Sequence, residues 1–108
     1  MHELGIAQHI FKQLVDVAAA QGFAQVERVT IKLGILSGIE GGHLAEHLDE
    51  LAPGTPLAGA RYEFSELQPG EELTPTAAGL APAEHVARAG AAVHATGFEI
   101  IIAKMSGR

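Results

Sequence analysis

The chain of 108 residues is long enough for one compact domain with a hydrophobic core and too short for two ordinary domains. Its hydrophobic fraction of 47% and charged fraction of 19% are typical of a globular protein rather than of a disordered tail. The absence of cysteine excludes disulfides, thiolate catalysis and zinc sites built from cysteines, and a net charge of -6 with scattered lysines and arginines argues against nucleic acid as a partner.

Membrane and secretory segments are not predicted. No apolar run approaches the ~20 residues that a membrane-spanning helix needs, and the start lacks the charged and apolar regions of a secretory signal. We therefore expect a cytoplasmic protein with no membrane partner.

The first half of the chain predicts two helices separated by a strand. Apolar residues in 4–20 recur at three- and four-residue spacing, which indicates an amphipathic helix ended by Gly22. Apolar and polar residues then alternate through 26–33, the pattern of a half-buried strand. Leucines at helical intervals predict a second helix over 43–51, which Pro53 and the glycine after it close.

The second half predicts two more strands around an irregular segment. One strand begins near Ala60, and a last one covers 98–103, where three consecutive isoleucines indicate burial on both faces. Residues 69–96 are rich in Ala, Gly and Pro and show no clear periodicity, apart from a candidate short helix around 83–89. We predict an α+β fold of two helices packed on a three-stranded, largely antiparallel sheet.

The N-terminal Met1-His2-Glu3 is a candidate metal site. An α-amino group followed by a histidine can supply the amine, deprotonated backbone amides and an imidazole in one short chelate. Such nitrogen-rich, square-planar geometry favours Ni(II) or Cu(II) over Mg, Ca or tetrahedral zinc, and Glu3 could add a carboxylate or orient the His2 ring. The plain alternative is a solvated His2 with Glu3 favouring a helix N-terminus, and spacing alone does not decide between them.

A pair of histidines offers a second, weaker candidate metal site. His43 and His47 stand at i and i+4 on the second predicted helix, which brings both imidazoles to one face, with Glu46 and Glu50 nearby. A pair without a third well-placed ligand binds transition metals poorly, so a solvated helix face is the favoured interpretation. His9, on the first helix beside its core face, is expected to be a partly buried structural residue.

No catalytic arrangement can be named. The serines lack a Gly-x-Ser-x-Gly motif, and no glycine-rich loop ends in Gly-Lys-Ser or Gly-Lys-Thr to hold a nucleotide. We therefore expect the chain not to be an enzyme, and an exposed terminal chelate suits metal transfer better than catalysis.

Two motifs carry a family resemblance. The start Met1-His2-Glu3-Leu4-Gly5-Ile6-Ala7, followed by an amphipathic helix, is combined with Val29-Thr30-Ile31-Lys32-Leu33-Gly34-Ile35-Leu36-Ser37-Gly38-Ile39-Glu40. Together they resemble the HypA/HybF family of hydrogenase and urease nickel-incorporation proteins. The resemblance continues through 54–64 and resumes at 97–100.

The resemblance implies a nickel-binding metallochaperone for the maturation of [NiFe] hydrogenase or, in some organisms, urease. Nickel would be held by the N-terminal amine, nearby backbone amides and the imidazole of His2, with Glu3 in support. A HypB-type GTPase and the hydrogenase large subunit are the implied partners. The nickel-binding domain would comprise 1–68 and 97–108, and 69–96 would be the insertion that in the family forms a zinc ribbon.

The insertion departs from the family pattern. Family members carry two Cys-x-x-Cys pairs there, whereas this chain has no cysteine, so we expect no zinc. Structural zinc in small modules contributes on the order of 10 kcal/mol to folding, so the insertion must be ordered in another way, as a short helix on the sheet or exchanged between subunits of a homo-oligomer. The alternative function is therefore a paralogue that acts as a protein-interaction or assembly module without nickel delivery.

Overall fold

The computed structural model describes residues 3–73 and 93–108 of the chain. The elements of this part follow one another in the order α1 (Glu3–Gln21), β1 (Val26–Gly34), α2 (Gly41–Leu51), β2 (Arg61–Leu67), β3 (Glu72–Leu73), β4 (Val93–His94) and β5 (Ile100–Gly107). Both predicted helices and the three predicted strands are thus confirmed. No helix in these two ranges is long and apolar enough to cross a membrane.

Helix α1 ends where its sequence requires. Gly22 adopts a φ of 75°, the left-handed conformation that glycine takes without steric cost. The N–H of Phe23 donates to the carbonyl of Ala18 at 2.9 Å, and the N–H of Gly22 donates to Ala19 at 3.1 Å. These bonds form a Schellman motif, which satisfies carbonyls at the helix end and turns the chain toward β1.

The main sheet is mixed rather than largely antiparallel. Its strand order is β2-β1-β5, with β1 parallel to β2 and antiparallel to β5. The expectation of a largely antiparallel sheet is therefore wrong for one of the two pairings. The physical reason is α2, because a helical connection between neighbouring strands returns the chain to the start of the sheet and produces a parallel pair.

The core lies between one face of this sheet and both helices. Alternate residues of β1, namely Val29, Ile31 and Leu33, point into it, as the period-two pattern predicts. The other buried members are Ala7, Ile10, Leu14, Val17, Ala18, Val26, Leu44, Leu48, Ala52, Leu57, Ala60 and Ile102. A fully buried leucine contributes roughly 1.5–3 kcal/mol, so this layer is the main source of stability in the described part of the chain.

A smaller apolar cluster lies on the opposite face. Leu67, Ala95 and Ile101 are buried together there. Since Ile102 joins the main core and Ile101 joins this cluster, the prediction that the isoleucine run is buried on both faces is confirmed. Strand β5 begins later and ends later than 98–103, because the backbone at 96–99 is held in a local loop.

A short two-stranded ribbon marks the stem of the predicted insertion. Strands β3 and β4 pair antiparallel, with Glu72 opposite His94. The N–H of Gly70 donates to Ala95 at 2.7 Å, and the N–H of Ala95 donates to Glu71 at 2.8 Å. Periodicity could not reveal two-residue strands, which were absent from the prediction; the helix expected around 83–89 lies outside the described residues.

Candidate metal centre

The predicted nickel site adjoins the start of α1. Met1 and His2 lie outside the described residues, as does the side chain of Glu3, whose backbone is the first residue of the helix. The first four N–H groups of an α-helix have no acceptor within the helix. Coordination of a metal by the backbone nitrogen of Glu3 would therefore break no helical hydrogen bond.

A mostly apolar groove runs beside the first turns of α1. It has a volume of about 340 Å³ and is lined by Ile6, His9, Ile10, Gln13, Phe98, Glu99 and Ile100. Ile6 stands three residues after Glu3, about 4.5 Å along the helix axis, so the groove opens close to the chain start. The side chain of His9 is exposed, so the expectation that it is partly buried is wrong; its position faces the groove rim rather than the core.

Glu99 contributes a carboxylate to this groove, but its oxygens are already engaged. The backbone N–H groups of Thr96 and Gly97 donate to them at 3.0 Å. Burial by itself raises the pKa of Glu99, yet the backbone hydrogen bonds outweigh it and the net pKa is lowered. This carboxylate therefore closes the loop before β5 and has little capacity left for a metal.

The segment 34–40, which carried much of the resemblance, is a structural connection between β1 and α2. A side chain at Gly34 would collide with the backbone of Gly97, and Gly38 has a φ of 73°. Glu40 is the N-cap of α2, and its Oε2 accepts a hydrogen bond of 2.7 Å from the N–H of His43. This bond and one from Gly42 lower the pKa of Glu40. The cap explains why α2 begins at Gly41, two residues before the predicted start.

The two histidines of α2 contact different carboxylates. Nδ1 of His43 lies 3.7 Å from Oε2 of Glu40, and Nδ1 of His47 lies 3.4 Å from Oε1 of Glu50, too poorly aligned for a hydrogen bond. Within residues 3–73 and 93–108, no group of three or more His, Asp or Glu side chains could hold a metal ion. A metal at His43 and His47 would thus depend on ligands from outside the described part.

The inner surface under α2 also holds a buried phenol that sequence inspection did not single out. The hydroxyl of Tyr62 has no hydrogen-bond partner among the described residues. Burial, assisted by the negative charge of Asp49, raises its pKa to about 12. The group is therefore neutral at physiological pH and adds no charge to the site.

A family model described as hydrogenase/urease nickel incorporation, metallochaperone, hypA, matches residues 1–71. The chain belongs to the HypA family. The matched range covers α1, β1, α2 and β2 and ends just before β3, three residues into the predicted insertion at 69–96. The HypA description names a metallochaperone, which confirms the expectation that the chain is not an enzyme.

Curated relatives match over the same extent. The chain is 41% identical over 66 residues to the hydrogenase maturation factor HypA of Polaromonas naphthalenivorans, covering 61% of this chain and 57% of that protein. It is 36% identical over 64 residues to HypA of Methanopyrus kandleri, covering 59% of this chain and 45% of that protein. The matched part of the chain thus spans about half the length of these relatives.

Solved HypA structures share the fold. The solution structure of the Ni metallochaperone HypA from Helicobacter pylori superimposes with a TM-score of 0.65 over 99% of this chain and 97% of that chain, at 12% identity. A second solution structure of a HypA protein gives a TM-score of 0.63 over 100% of this chain and 97% of that chain, at 11% identity. At this identity the comparison concerns the fold alone, and it confirms the predicted α+β class.

Proposed function

We propose that the chain carries nickel for the maturation of [NiFe] hydrogenase, with Met1, His2 and Glu3 as the metal site. The observation that carries the proposal is the position of this triplet at the start of α1, whose first residue is Glu3, in a member of a nickel metallochaperone family. The ligands are the terminal amine, the backbone nitrogens of His2 and Glu3 and the imidazole of His2. The Glu3 carboxylate would be a supporting group.

The start of α1 suits such a chelate electrostatically. A helix N-terminus carries a partial positive charge of about half an elementary charge, which disfavours a bare cation. Two deprotonated amides offset the charge of Ni(II), so the bound unit is neutral and the dipole does not oppose it. The nickel would be cargo in this scheme, held by groups at the N-terminus and passed on to a recipient protein.

The proposed partners are a HypB-type GTPase and the hydrogenase large subunit. Family membership supports both, and the groove beside α1 gives a partner an apolar surface close to the chain start. We place the nickel-binding domain in 1–68 and 97–108, with 69–96 as a cysteine-free counterpart of the family's zinc-binding insertion. The cytoplasmic location stays a prediction from the sequence.

Calorimetric titration with nickel tests the site. Tag-free protein with its native start, verified by mass, should bind nickel at one ion per chain and show the visible absorption of square-planar Ni(II). His2→Ala, or an extension by one residue before Met1, should abolish both signals. His9→Ala is the matched control, since it removes the histidine of α1, the next histidine after His2 in the chain, and should leave both signals unchanged.

The alternative of an interaction module without nickel delivery makes the opposite prediction. Absence of binding in the native protein, or equal binding in the native protein and His2→Ala, would refute the assigned site. If the same proteins still captured a hydrogenase large subunit, the assembly role would replace metal delivery. That alternative is motivated by the loss of every cysteine from the chain.

A further inference from the structure

The sheet face remote from the helices gathers most of the chain's cations. Arg28 and Lys32 occupy outward positions on β1, alternating with the buried residues of the core. The strand register places Arg61 of β2 beside Arg28, and Lys104 of β5 beside Thr30. Four of the seven lysines and arginines, which look scattered in the sequence, therefore share one surface. We call Arg28, Lys32, Arg61 and Lys104 the basic face.

The charge of the molecule is strongly segregated as a result. Among the described residues, Glu63 and Glu71 form ion pairs with these cations, so the four cations and these two carboxylates together carry +2 within a chain of -6, and the remaining residues together carry -8. A positively charged surface on a protein of negative net charge steers negatively charged partners to that surface.

Of the four cations, Lys32 is closely paired with a carboxylate, Arg28 is loosely paired, and the other two form no ion pair in the described part of the chain. Nζ of Lys32 lies 2.7 Å from Oε2 of Glu71, whereas Arg28 contacts Glu63 at 3.7 Å with both side chains more than half exposed. Arg61 and Lys104 are exposed and form no ion pair with any carboxylate of the described part of the chain.

Two like charges stand side by side on adjacent strands of the basic face. Arg28 and Arg61 are Cα partners on adjacent strands, and like charges directly opposite each other are destabilising. An anion seated between the two guanidinium groups would remove this repulsion. The pair of adjacent arginines is therefore better explained by binding of an anion than by a contribution to the stability of the fold.

The region around Arg28, Arg61 and Lys104 is not covered by any described element. Both helices pack on the other face, and the small cluster of Leu67, Ala95 and Ile101 covers only the end of the sheet near the insertion stem. We propose that the basic face docks an acidic polypeptide segment of a partner protein, with its carboxylates against Arg61, Arg28 and Lys104.

The dimensions favour a short acidic peptide over a DNA duplex. Neighbouring strands lie ~4.8 Å apart and outward residues of one strand ~6.8 Å apart, so the cations fall within a patch on the order of 10–15 Å across. A DNA duplex carries a charge every ~1.7 Å and would extend beyond the patch onto acidic surface. A few Asp or Glu side chains fit inside it, and carboxylates match the guanidinium geometry.

Fluorescence anisotropy with a labelled octaglutamate peptide tests the docking on the full chain. Binding should be saturable, should weaken with added salt, and should be absent with an octaglutamine peptide. Arg61→Glu should weaken it roughly tenfold, because one attractive contact becomes repulsive. Lys12→Glu on α1 is the matched control, since it changes the net charge equally at an exposed site outside the basic face.

Two controls distinguish a loss of peptide binding from misfolding and from a loss of nickel binding. Arg61→Glu places an acid beside Arg28, so its urea midpoint should be equal to or above that of the native protein, which excludes misfolding as the cause of lost binding. His2→Ala should bind octaglutamate normally. Absence of saturable binding, equal loss in Arg61→Glu and Lys12→Glu, or tighter Arg61-dependent binding of a DNA duplex or of phosphatidylserine vesicles would each overturn the proposal.

Discussion

A methyl group added at Gly34 should destabilise the protein more than its size suggests. The new Cβ would meet the backbone of Gly97 and the carbonyl oxygen of Glu99, neither of which can move as a side chain can. Relief requires the end of β1 to separate from 97–99. That separation stretches two hydrogen bonds of 2.7 Å, from the N–H of Gly34 to Glu99 and from the N–H of Leu36 to Gly97.

The magnitude follows from these contacts. Two weakened backbone hydrogen bonds cost about 1 kcal/mol each, and overpacking adds roughly 1–3 kcal/mol. The lower entropy of alanine in the unfolded chain returns about 0.4–1 kcal/mol. Gly34→Ala should therefore lower the free energy of unfolding by about 3 kcal/mol, within the roughly 5–15 kcal/mol of a typical domain.

Urea denaturation followed by circular dichroism measures this loss as a lower midpoint with an unchanged slope. Gly38→Ala is the control, because its Cβ meets nothing within 4 Å and only its φ of 73° is unfavourable. It should lose about 1 kcal/mol. If Gly34→Ala lost no more than Gly38→Ala, the close approach of β1 to 97–99 would be refuted.

Three further predictions concern the core, the buried phenol and the insertion stem. Tyr62 is the one tyrosine of the chain, so phenolate absorbance in native protein should rise with a midpoint near pH 12 rather than 10. Because the native state retains a proton that the unfolded state loses, stability should fall from pH 10 to 12, and Tyr62→Phe should abolish that fall. Leu14→Ala, at a site with 0% exposure, should lower the free energy of unfolding by about 2–5 kcal/mol in urea, and a loss below 1 kcal/mol would contradict the packing. Lys32→Met removes the contact to Glu71 and should speed hydrogen exchange at the Ala95 amide, while unchanged exchange would show that the ion pair does not hold the stem.

The spacing of apolar residues was sufficient to predict the helices and strands that bury a single face. The helices and β1 have regular apolar spacing over nine or more residues, so their period determines their structure. The predicted start of β5 at 98 was wrong because Phe98 is exposed and Thr96, Gly97 and Glu99 form a hydrogen-bonded loop, which apolar content does not reveal.

Features that depend on distant partners were not predictable from one sequence. The parallel pairing of β1 with β2 is decided by the path of α2, and β3 and β4 are recognisable only as a pair separated along the chain. The basic face was missed for the same reason, since its four cations lie on three strands. The nickel ligands were predicted from the chemistry of the N-terminal groups and from the family resemblance. They stay a prediction, and the structure adds the position at which α1 begins.

The position of β3 and β4 bears on how far the chain between them can vary. The chain leaves the main sheet at Leu67 and returns to it at Ile100, and β3 and β4 pair with each other between these two points. Closing a flexible loop costs only about 0.6 kcal/mol more for each doubling of its length. The segment between β3 and β4 can therefore change in length and composition while the pairing of β1 with β5 survives.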